Sequence, residues 1–101
     1  MKMLLTVEIP YEPFNSLVKG GKAGEIIGRI LETIKPEAVY FTEQDGMRGG
    51  IFLINVQDSS EVPAFAEPFF LNFQANCKFR IVMSPEDLQK AGLDELGKKW
   101  A

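Results

Sequence analysis

Histidine is absent from these 101 residues, and cysteine occurs once, at Cys77. Carboxylates, phenols and cationic side chains are therefore left to carry any acid–base chemistry. A Ser-His or Cys-His nucleophile pair cannot be assembled, nor a histidine-ligated zinc, iron or copper site. One thiol cannot hold an iron–sulfur cluster. No metal and no cofactor is expected. Among the remaining groups Glu8, Tyr40 and Arg80 stand out. Residue alternation along three strand-like stretches puts Thr6 and Glu8, Tyr40 and Thr42, and Lys78 and Arg80 on one face of a sheet. In a cavity there, Glu8 would accept a proton, Tyr40 would donate one and Arg80 would clamp an anion. The plainer reading is a rim of cross-strand ion pairs, with Glu8 facing Arg80 or Lys78.

Two glycine-rich stretches invite a ligand-cradling interpretation. In "TEQDGMRGGIF", Thr42 to Phe52, Asp45-Gly46 is a turn pair, and Gly49 and Gly50 are expected to supply positive φ or a bulge. The stretch lacks the Lys-Ser/Thr of a phosphate loop, and no helix follows it. It reads as the connection of a hairpin. Arg48 is then a solvated side chain, or one that reaches an anionic ligand or a partner chain. "KGGKAGEIIG" matches neither nucleotide-binding pattern. Gly20, Gly24 and Gly28 would share a face of a continuous helix, for close approach to the sheet, or would belong to a mobile lid. Phe65, Phe69 and Phe73 recur at steps of four and form an apolar helix face. Such a face ordinarily packs on the sheet. A pocket lined by Phe65 and Phe69 could instead hold an aromatic or acyl ligand.

The elements that position these residues follow from period and punctuation. "KMLLTVEI", residues 2–9, alternates as a half-buried strand and stops at Pro10. Residues 14–35 carry helical spacing that the glycines divide into a short turn at 14–19 and a firm helix from about 22 to 35. "AVYFTEQ", 38–44, and "GIFLINV", 50–56, read as strands, the second with both faces covered. Ser59 or Ser60 can cap the helix "VPAFAEPFFLNF", which Pro68 should kink or shorten. "CKFRIVM", 77–83, is the last strand. Ser84, Pro85 and Asp87 form a capping signature, Gly92 ends that helix, and another turn runs from Leu93 to Trp100. Trp100 suggests a tail that docks, on the other subunit among other places.

Composition narrows the partners. Apolar residues make up 46 % and charged residues 25 %, which fits one globular domain over 1–101 with a C-terminal helical extension at 84–101. A net charge of −3 without a basic block argues against nucleic acid and against a polybasic membrane patch. The first apolar run is too short for a signal peptide or a membrane span, so a cytoplasmic location is expected.

Strand, helix, strand, strand, helix, strand is the plan of ferredoxin-like folds. It is an α+β architecture with sheet order four, one, three, two and both helices on one face. The bare face, with Leu4, Val82 and one side of the third strand, wants a partner. A second copy across a two-fold axis is the simplest one. The βαββαβ order, the apolar third strand, the "EVPAFAEPFF" helix and the C-terminal helical extension resemble the dimeric α+β barrel superfamily, and most of all its small bacterial members with no assigned function. The resemblance implies two ferredoxin-like subunits paired sheet to sheet. The superfamily includes cofactor-free monooxygenases, muconolactone-isomerase-like enzymes and haem-handling members, several of which use a histidine that is missing here. The leading expectation is a homodimer that is structural or binds a small apolar molecule. The rival is a cofactor-free monooxygenase- or isomerase-like enzyme acting on a small aromatic or unsaturated acid through Glu8, Tyr40 and Arg80. A third is a protein interaction module.

Overall fold

The computed structural model describes residues 1–101. Alternation sets the central strand β1 (Lys2–Ile9), in which Met3, Leu5, Val7 and Ile9 are buried and the intervening residues are not. It pairs with β3 (Met47–Asn55) on one side and β4 (Asn76–Ile81) on the other. The strand β2 (Ala38–Gln44) pairs with β3, giving an antiparallel sheet of order β2-β3-β1-β4. This is the expected strand order, and the α+β architecture is compatible with a ferredoxin-like fold.

Helices α1 (Phe14–Lys19), α2 (Ala23–Ile34) and α3 (Val62–Phe73) supply the rest of the core. Gly21, at φ +71°, falls in the break between α1 and α2. The expectation that Gly24 and Gly28 allow close approach to the sheet is corrected. A Cβ at either would meet nothing within 4 Å. Ala23, Ile30 and Ile34 form the buried face of α2, so its glycines lie elsewhere. α3 runs through Pro68 and ends only at Phe73, so the proline does not shorten it. A 3-10 turn, Ser59–Glu61, leads into it, and the capping residue stands just before the expected serines. Asp58, rather than Ser59 or Ser60, accepts from the Ser60 amide at 2.9 Å, and Glu61 accepts from the Asp58 amide at 3.1 Å. The Ser60 amide, and then its hydroxyl, hold the Asp58 carboxyl below its usual range.

The core lies between the sheet and these helices. Phe52, Phe73, Leu5, Ile54, Val7 and Val56 are its fully buried side chains. The Phe69 ring stands 5.2 Å from Phe52, and Phe14 stands 5.0 Å from Phe73.

The hairpin is tighter than the sequence suggests. β3 begins at Met47, and only Asp45 (φ +51°) and Gly46 (φ +82°) form the turn. Two successive left-handed residues suit the twist of the flanking strands. Glu43 accepts from the Gly46 amide at 2.8 Å. Gly49 and Gly50 belong to the strand without positive φ, so a turn or bulge is not their role. A Cβ on Gly49 would lie 2.4 Å from the Gln44 side chain, and one on Gly50 would lie 2.7 Å from the Phe52 ring. They are absences of side chain, filled by neighbours.

Beyond β4 come α4 (Pro85–Lys90) and α5 (Leu93–Lys99). Ser84 and Asp87 form the expected reciprocal cap, and Gly92 (φ +70°) separates the two helices. Every residue from 85 to 101 except Gly92 is exposed. The molecule measures 60 × 27 × 20 Å. No helix is long and apolar enough to cross a membrane.

Candidate functional site: the open face of the sheet

α2 and α3 cover one face of the sheet. The strand register orders the other face into rows. Ala38, Leu53, Leu4 and Arg80 lie side by side. Next come Tyr40, Ile51, Thr6 and Lys78, and after them Thr42, Gly49, Glu8 and Asn76. One end of the face is thus largely apolar and the other polar. Tyr40 is 70 % exposed although it is a large aromatic side chain on a strand.

A cavity of about 330 Å³ opens at the polar end. Thr6, Glu8, Gln44, Asn76 and Lys78 line it, with Phe70 and Cys77. Its volume is at the lower end of the range for small-molecule sites. Gly49 shapes it, because the missing side chain leaves room for Gln44 to lie across the sheet. The Asn76 amide donates to the Glu8 carboxylate at 3.3 Å. Cys77 stands opposite Val7 on the covered side, its Sγ 4.0 Å from the Ala66 carbonyl, and burial pushes its thiol up to about 11.

The expected cross-strand ion pairs are not formed. The ion pairs of the chain are Lys2–Glu37 at 3.1 Å and Lys98–Glu95 at 3.7 Å. The register explains this. Glu8 faces Asn76, while Arg80 faces Leu4 two rows away. Strand spacing and rise place the Arg80 Cα roughly 14 Å from that of Glu8, and the Tyr40 Cα roughly 12 Å from it. Within one chain, therefore, Glu8, Tyr40 and Arg80 share a face and do not converge. Lys78, on the diagonal from Glu8, is the nearer cation.

The other candidate residues lie away from this cavity. Arg48 donates to Asn15 at 2.6 Å, and its guanidinium sits 4.8 Å from the centre of the Phe14 ring. It clasps α1 to the start of β3, neither solvated freely nor directed at an open site. Phe69 is buried in the core, and Phe65 packs beside it, half-buried. Phe69 thus has no surface to offer a ligand. A second groove, of about 320 Å³, runs between α2 and α3 and includes Ile26, Ile30, Pro68 and Leu71. No group of three or more Cys, Asp or Glu side chains comes together as a metal-ligating set.

Gln44, Phe70, Asn76 and Cys77 are the lining residues that sequence reasoning missed. Gln44 shares the parity of Tyr40 and Thr42, so its face was readable. Asn76 lies one residue before the expected start of the last strand. Only the register reveals it as the partner of Glu8.

No protein-family model matches the chain, and no curated protein matches it.

Proposed function

We propose that the chain acts as a homodimer, a dimeric α+β barrel closed by two open sheet faces, that binds a small molecule at the Glu8 end of the interface. The observation that carries this reading is the two-part character of the face. Leu4, Ile51, Leu53 and Tyr40 form the apolar part that a second copy would cover, and the cavity sits beside it. The cavity walls favour a ligand with hydrogen-bonding groups over the wholly apolar one expected from composition. Glu8, which accepts from Asn76 through one oxygen, has a second oxygen to accept from ligand N–H or O–H groups, and Gln44, Asn76 and Thr6 can donate or accept. Phe70 would hold its apolar portion.

A catalytic reading rests on a narrower observation: Glu8 is the one carboxylate in the cavity and Lys78 the one cation. Glu8 would then take a proton from a bound acid whose charge Lys78 balances. Native mass spectrometry of the purified chain tests the main proposal, since it reports subunit number and retained molecules together. A dimer with a reproducible added mass, lost in Glu8→Gln, is the expected result. A monomer without added mass would overturn it. Turnover of the recovered molecule that disappears in Glu8→Gln would favour the enzyme.

A further inference from the structure

The segment after β4 packs little against the body of its own chain. α4 and α5 have six and seven residues. Helices this short do not persist in water without packing against something. Only α4 has a side-chain cap, and Leu88, Leu93, Leu96 and Trp100 are 44, 56, 43 and 77 % exposed. Leu93, Leu96 and Trp100 follow one another at steps of three and four, so they share a side of α5. The radius of gyration is 17.1 Å, against about 13 Å for a compact chain of this length. The apolar arm extends away from the body that could have covered it.

Where the arm departs names its target. Val82 still bonds to the Lys2 carbonyl at 3.4 Å, beside the row of Leu4 and Arg80. The arm thus leaves from the apolar end of the open face. Glu86 and Asp87 put acids in the first turn of α4, and Asp94 and Glu95 in that of α5, with Lys90, Lys98 and Lys99 in the last turns. Lys78 and Arg80 of the edge strand β4 give the open face a basic margin.

We infer that each arm, residues 84–101, packs against the second copy at the margin of the paired sheets, with Leu93, Leu96 and Trp100 toward the partner and the acids of α4 and α5 toward its Lys78 and Arg80. This rests on the homodimer proposed above. Each chain carries an uncovered arm and an uncovered face side by side, and a two-fold axis satisfies both at once. Sheet pairing then supplies part of the interface and the reciprocal arms the rest.

Trp100 is the only tryptophan, so its fluorescence reports the arm directly. The full chain would be diluted through its dissociation range, with emission and sedimentation followed in parallel. Expected is an emission blue-shifted from free tryptophan while the chain is dimeric, moving to the solvent position in step with dissociation. Leu96→Asp should weaken dimerisation roughly tenfold or more, the size of effect typical of a central interface side chain. A dimer whose Trp100 emits as in water at every concentration would overturn the arm and leave the sheet-paired dimer standing. A chain monomeric throughout would overturn both. Blue-shifted emission in the monomer would place the arm on its own body and overturn the exchange.

Discussion

Arg48 shows how a single residue's chemistry is settled by what lies beside it. In the sequence it stands between a turn and two glycines, open to an anion or a partner. In the fold it lies over Phe14 and bonds to Asn15. Cation–π and side-chain hydrogen-bond contributions together suggest that Arg48→Ala lowers stability by about 1–2 kcal/mol. Urea unfolding would measure this, and the Glu8 pocket should keep its ligand. That the glycine-flanked stretch is a hairpin was legible. That its arginine reaches back 33 residues to Asn15 was not, because no local pattern encodes the placement of α1 on the end of β3. Cys77 offers a pH test. Its thiol titrates higher folded than unfolded, so its burial stabilises the fold fully below the ordinary thiol value of 9.0 and progressively less as pH rises toward about 11. Denaturant midpoints between pH 8 and 11 should therefore fall more for the native chain than for Cys77→Ala, and alkylation of Cys77 in the folded chain should be slow near pH 9.

Among the elements, glycine separates what sequence can reveal from what it cannot. Gly24 and Gly28 cost helix propensity and have nothing near them. Gly28→Ala should stabilise the protein by about 0.5–1 kcal/mol. Gly49→Ala and Gly50→Ala should do the opposite, by roughly 1–3 kcal/mol, because the new methyl meets the Gln44 side chain in one case and the Phe52 ring in the other. Thermal melts of the three variants decide the signs. The break before α2 was readable from composition. The different roles of the two glycine pairs were not, since both look like punctuation until the register places Gly49 opposite Glu8. β1, β2 and the cap of α4 were legible because alternation and Ser-Pro-x-Asp are local signals. Pro68 does not shorten α3, because tertiary packing of Phe69 and Phe73 holds the helix through it. The Glu8–Arg80 pairing misled for a related reason. Face was correct by parity, but position along the strand depends on a register that parity does not contain.

As a whole molecule, the chain leaves apolar side chains exposed on the open sheet face and on the C-terminal arm. An α+β body has one covered sheet face, one open face with Tyr40 exposed, and an arm whose apolar side chains are exposed. The central claim is that a second copy covers the open face and forms the pocket beside it. The most direct measurement is NMR of the native chain with a soluble paramagnetic agent, which attenuates only what solvent can reach. The account predicts that the Leu4, Ile51 and Leu53 methyls and the Tyr40 ring are protected, while Leu71, 80 % exposed on α3, is strongly attenuated. Attenuation of Tyr40 and Ile51 as strong as that of Leu71 would mean an open face in solution and would contradict the dimer.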